Sequence, residues 1–196
     1  WAEAGHEVAW EQVALPQPAL RPTPTPRRRE RLNIDEDAAA VRVAGSELRV
    51  VVAKSTGRIE ALDWRDVRLL QAGPRLNLWR AATDNDGFKW KPDEPGKLLG
   101  QWLQVGLDRL DHRLTAFSLE HSDPGLVVVR AERIIQAEGV EGGFREAMAT
   151  YIYGDGDLVV DEHVDCFGDL PPLPRVGLSM VVPEGFEKLT WYGRGY

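Results

Sequence analysis

Four stretches of this chain, 115–121, 126–136, 145–153 and 158–167, alternate apolar and polar residues at a period of two. An extended backbone sends successive side chains to opposite faces, so each stretch offers one face to a core and the other to water. Between them stand Asp123-Pro124-Gly125, Gly142-Gly143 and Gly154-Asp155-Gly156-Asp157, the last a hairpin signal. The pattern starts earlier, near Leu32. Short β-rich runs at 41–43, 48–53, 58–64 and 76–82 are punctuated by Gly45-Ser46, Thr56-Gly57, Arg65-Asp66 and Gly73-Pro74. Runs at 176–182 and 188–193 close the set. This spacing predicts an all-β fold, a large antiparallel sandwich, rather than an α/β one. One helix is predicted near 97–110, where Leu98, Leu99, Trp102, Leu103 and Leu110 share a face and Pro95-Gly96 ends what precedes them. Trp102 is assigned to the core.

At 196 residues the chain has room for one ordinary domain and a piece of another. Residues 1–15 read as the closing strand of a preceding domain, with Val8 and Trp10 facing its core. Pro16, Pro18, Pro22, Pro24 and Pro26 follow; each fixes φ and removes a backbone donor, so 16–31 reads as an extended linker. The β-rich domain is then 32–196. A net charge of −7 argues against nucleic acid as a partner, because phosphate binding needs clustered Lys and Arg. The one basic run, Arg27-Arg28-Arg29, sits in the linker and reads as solvated. No apolar run approaches the roughly 20 residues that span a bilayer, and no signal peptide is apparent. A single cysteine, Cys166, permits no intrachain disulfide; it reads as a small buried hydrophobe and favours the cytoplasm. The chain opens in mid-strand without methionine, as a piece excised from a longer polypeptide would.

The chemistry concentrates in one place. Leu78-Trp79-Arg80-Ala81-Ala82-Thr83-Asp84-Asn85-Asp86-Gly87 carries two carboxylates and an amide out of an apolar strand and stops at a glycine. Buried bare, such groups would be costly, so they belong on a loop, where binding groups are usually presented. Two uses stand open. The residues serve as binding groups, or as an acidic turn whose carboxylates accept backbone N–H bonds. A retaining glycosidase needs two carboxyl groups about 5–5.5 Å apart on either side of the bond it cleaves. Asp84 and Asp86, alternating outward and inward on an extended strand, do not meet that need. The histidines His6, His112, His121 and His163 show no metal-ligand spacing. Asp161, His163 and Asp165 fall on one face of a strand, either a ligand row or the wet face of a half-buried sheet. Gly154-Asp155-Gly156-Asp157 lacks the downstream glutamate of a calcium loop, and a turn accounts for it.

The decapeptide at 78–87 resembles the W-R-A-x-T-D-N-D motif of the last domain of large β-galactosidases of glycoside hydrolase family 2. Three further matches occur in the same order. Trp1-Ala2-Glu3-Ala4-Gly5-His6-Glu7-Val8-Ala9-Trp10 resembles the W-x-E-A-G-H-x-x-A-W strand of the preceding immunoglobulin-like domain. Pro174-Arg175-Val176-Gly177-Leu178 resembles a P-R-I-G-L segment. Trp191-Tyr192-Gly193-Arg194-Gly195-Tyr196 resembles W-Y-G-x-G-P, with Tyr196 where the family usually has proline. The resemblance implies a β-supersandwich like that of galactose mutarotase. It places the catalytic glutamates in a (β/α)8 barrel upstream of Trp1, so no catalytic residue and no hydrolysis are expected of this chain by itself. The remainder of the parent chain, barrel included, becomes the expected partner, with a β-galactoside as the parent's substrate. Mg2+ and Na+ of such enzymes would bind mostly outside this segment, and no metal site is expected within it.

The same resemblance makes Asp84, Asn85, Asp86, Gly87, Phe88 and Trp90 candidate substrate-facing residues on a mobile rim that also holds Lys89. Phe88 and Trp90 offer faces for a sugar ring, and Trp90 serves equally as a loop anchor. Family members continue past Tyr196, which implies an open sheet edge and self-association through it. Two other functions compete: an independent carbohydrate-binding module, and an aldose epimerase, for which Glu162 with His121 and His163 are the candidates.

Overall fold

The computed structural model describes residues 3, 5–7, 30–91, 93–94 and 96–190, except for the side chain of Ser122. The predicted strand over 1–15, the proline linker and the 191–196 motif fall almost wholly outside the described residues. The chain divides into two compact units, one of Arg28–Pro183 and one of Trp1–Arg27 with Glu184–Tyr196. In the described part of the smaller unit, His6 N–H donates to Glu3 O at 3.1 Å and Gly185 N–H to the Glu187 carboxylate at 2.8 Å.

The larger unit contains eleven strands and one helix among the described residues, in the order β1 (Asn33–Glu36), β2 (Ala40–Ala44), β3 (Leu48–Ala53), β4 (Arg58–Trp64), β5 (Val67–Leu70), β6 (Ala72–Asn77), α1 (Leu99–Gln104), β7 (Asp111–Asp123), β8 (Leu126–Gln136), β9 (Gly143–Tyr153), β10 (Leu158–Phe167) and β11 (Gly177–Val181). Strands β1 to β5 form an antiparallel meander in sequence order, and β7 to β10 form a second. β6 pairs with β11, also antiparallel. The all-β antiparallel architecture with one short helix is the one that the alternation predicts.

Local chemistry sets the reversals. Arg65 and Asp66 both take positive φ, 49° and 63°, as a two-residue turn matched to strand twist requires. Gly57, at φ 64°, closes the β3–β4 hairpin where a Cβ would stand 2.5 Å from that of Ala131, so only glycine fits.

The period-two pattern buries two clusters. Leu32, just before β1, and Val41, Val43, Leu48, Val50, Val52 and Ile59 of the first sheet pack on Val127, Val129 and Ile152 of the second. Leu76, Leu78, Leu99, Trp102 and Leu107 pack on Ile135 and Phe144, farther along the same face. Each fully buried large aliphatic contributes roughly 1.5–3 kcal/mol. β8 therefore serves both cores from one face, and between its two apolar contributions stands Arg133.

Five expectations are corrected. The strand expected over 76–82 stops at Asn77, whose Oδ1 accepts the Trp79 N–H at 3.1 Å and turns the chain. Gly73-Pro74, expected as a turn, lies inside β6. Among the described residues that strand pairs only with β11, and the register shifts between Ser179 and Val181, so the proline forfeits no regular ladder bond. The helix is shorter than 97–110. Gly106 (φ 72°) ends it as its N–H donates to Leu103 O and that of Leu107 to Trp102 O, so Leu107 and Leu110 reach the core as loop residues. Cys166 is exposed, not buried. It lies one alternation beyond Val164, the last residue of edge strand β10 packed on the second core. Of the run expected at 188–193, residues 188–190 are not strand and the rest fall outside the described residues.

Candidate functional site

The chain leaves β6 through Leu78 and Trp79 and builds a turn on Asp86. Arg80 meets that carboxylate with two nitrogens, at 2.6 and 3.0 Å, and Thr83 adds its N–H at 2.7 Å and its hydroxyl at 2.9 Å. The guanidinium first, then the Thr83 N–H, hold the Asp86 carboxyl well below the usual carboxylate range. Arg80 in turn donates Nε–H to Pro174 O at 3.0 Å and lies over the buried Trp102 ring, 5.4 Å from its centre. Trp102 is nearly inaccessible, as its assignment to the core requires, and it donates its indole N–H to Pro172 O at 2.8 Å. Arg80 thus ties the 78–87 segment to the 174–178 segment. Ninety-four residues separate Arg80 from Pro174, so neither motif by itself shows that this arginine joins them.

The candidate residues consequently divide. Asp86 is structural: it is the acceptor around which the turn closes. Asp84 and Asn85 are exposed, and their side chains make no hydrogen bond among the described residues, while their carbonyls accept Lys97 Nζ at 2.9 and 3.2 Å. Neither aspartate lies on an extended strand. Gly87 takes φ 118°, and a Cβ there would press on that of Lys97 at 3.1 Å. Phe88 and Trp90 stack on each other, ring centres 5.3 Å apart and planes 21° from parallel, with Trp90 78% exposed. An apolar face and two unengaged polar side chains are thereby presented to solvent on a clamped loop.

A polar cluster in the seam between the two cores was not foreseen. Arg133 and Glu146 pair on neighbouring strands with no side-chain exposure, and Arg133 donates Nε–H and Nη2–H to Thr56 O at 2.9 and 2.7 Å. Burial, and next the neighbouring Glu146 carboxylate, push Glu162 up to about 7. Arg58 Nη2 donates to His112 Nδ1 at 2.8 Å; burial, then Arg75, Arg58 and Arg133, push that imidazole down to about 3. The period-two pattern hid these residues, because Arg133 and Glu146 occupy inward positions where apolar residues are expected.

Glu162 and His163 project from opposite faces of β10, and His163 Nε2 meets Asp165 Oδ2 at 3.2 Å on the exposed face. That row reads as the wet side of the sheet. Among the described residues no three His, Cys, Asp or Glu side chains gather where they could hold a metal ion. No helix among the described residues is long and apolar enough to cross a membrane.

Fold and loop together define an antiparallel β-sandwich domain that displays a clamped aromatic loop. Its sequence matches the family of the β-galactosidase small chain over residues 44–196. The chain belongs to that family. It is 28% identical over 197 residues to a β-galactosidase of Priestia megaterium, 29% over 203 residues to one of Vibrio cholerae, and 26% over 198 residues to one of Kluyveromyces lactis. These matches cover 98–100% of this chain but only 18–19% of each relative, so the chain spans about a fifth of the length of the curated relatives it matches.

Proposed function

We propose that this chain is a non-catalytic part of a retaining β-galactosidase, which completes the sugar pocket and packs against the barrel that carries the catalytic glutamates. The parent reaction is hydrolysis of terminal non-reducing β-D-galactose residues through a glycosyl-enzyme intermediate. The observation that carries the pocket role is the exposed Phe88–Trp90 stack beside the unengaged Asp84 and Asn85. A sugar ring has an apolar face that such a platform accepts, and hydroxyls that a carboxylate and an amide bind. Asp86 and Arg80 hold the platform without touching sugar. The similarity to three β-galactosidases supports the choice of substrate.

The test is kinetic, on the polypeptide of the relatives' full length. Trp90→Ala should raise KM for nitrophenyl β-galactoside roughly twofold to tenfold with little change in kcat, the effect of losing one aromatic contact. An unaltered KM would remove the pocket role. This chain purified alone should leave the same substrate intact; cleavage by it would overturn the reading outright.

A further inference from the structure

A cavity of about 270 Å3 opens beside β6, β11 and the start of β7, lined by Arg75, Asn77, Trp79, Arg109, His112 and Ser179 among others. Its polar groups are mostly hydrogen-bond donors. Arginine has no acceptor, so His112 Nδ1 receives the bond from Arg58, and the proton of the neutral imidazole sits on Nε2. No described residue accepts that Nε2–H. The Oδ1 of Asn77 is engaged by the Trp79 N–H, which leaves its amide NH2. The Arg75 guanidinium makes no hydrogen bond or ion pair with any described residue, and Arg109 spends Nη1 on Leu103 O at 3.0 Å and on Asp108 Oδ1 at 3.4 Å, which leaves its other nitrogens. Nearby, Arg58 Nε is buried without an acceptor. Among the described lining residues the one acid is Asp108, paired with Arg109, against two arginines. In a chain of net charge −7 this local excess of cations and donors is a departure.

We propose that this cavity binds a small oxyanion, a phosphate or carboxylate group held by Arg75, Arg109, the Asn77 amide and His112 Nε2–H. Planar guanidinium forks match such groups bidentately. The volume lies just below the range of pockets for drug-sized ligands and suits a compact anion. The site is separate from the aromatic loop and does not depend on the sugar reading.

The intact chain is titrated by calorimetry with inorganic phosphate and, separately, with citrate, against sodium chloride of matched ionic strength. Saturable binding of phosphate or citrate, absent with chloride, is expected, and the tighter ligand identifies the source. Arg75→Gln, at an exposed position with no partner to lose, should keep the circular dichroism of the native chain and weaken binding roughly fivefold or more. In the native chain, the His112 ring proton resonances should shift with the same midpoint. Absence of saturable binding by either anion, binding unchanged in Arg75→Gln, or a His112 signal indifferent to the anion would each overturn the proposal.

Discussion

Replacing Glu146 by leucine should be among the most damaging single changes in this chain, although leucine is the more hydrophobic residue. Arg133 and Glu146 have no side-chain exposure, and among the described residues the arginine has no other carboxylate near it except Glu162 on the next strand. Removing one member of a buried pair strands the other charge and costs about 3–5 kcal/mol. By the shift of roughly 2–4 °C per kcal/mol for a domain of this size, Tm should fall by roughly 6–20 °C. Replacing both members, Arg133→Met with Glu146→Leu, removes the stranded charge and leaves the Thr56 carbonyl without its two donors, a loss of about 1–3 kcal/mol. The double variant should therefore be more stable than Glu146→Leu alone. Adding Glu162→Gln to Glu146→Leu should deepen the loss, since it withdraws the last carboxyl near Arg133. Urea unfolding followed by circular dichroism measures all four proteins. A Glu146→Leu variant within about 1 kcal/mol of the native chain, or an Arg133→Met/Glu146→Leu variant less stable than Glu146→Leu alone, would refute the reasoning.

Glu162 titrates near 7 in the folded chain against an ordinary 4.5. The fold disfavours its ionised form, so stability should decline as pH rises from about 4.5 to about 7, and Glu162→Gln should flatten that decline in urea midpoints. His112 works in the opposite sense: folded near 3 against 6.5, it should withdraw stability as pH falls through that window, and a His112→Gln comparison isolates the effect. Gly57→Ala meets the Ala131 Cβ at 2.5 Å from a left-handed backbone and should cost roughly 2–5 kcal/mol, with Ala131→Gly restoring part of it in the same unfolding assay. β11 exposes Leu178, Met180 and Val181 and pairs, among the described residues, only with β6, so sedimentation should detect self-association that Met180→Lys weakens.

Period-two patterning alone determined that this is an antiparallel β protein, because a face buried at every second residue leaves little else for the chain to form. Turn residues located most of the reversals for the same local reason, as Arg65-Asp66 and Gly154-Asp155-Gly156-Asp157 illustrate. That Asp84-Asn85-Asp86-Gly87 lies on a loop was also legible, since two aspartates flanking an asparagine cannot enter a core unpartnered, whereas the five residues before Thr83 were read as strand and are not. What lay beyond sequence was the division of labour inside it. Asp84 and Asp86 are the same residue type two positions apart, and only the arrival of Arg80 and Thr83 makes one a clamp while the other stays free. The Arg133–Glu146 pair was equally hidden. Its members are thirteen residues apart on neighbouring strands, and whether an inward charge is satisfied depends on a partner that register brings opposite it. Local pattern fixes which way a side chain points; what it meets there is decided by chain segments distant in sequence.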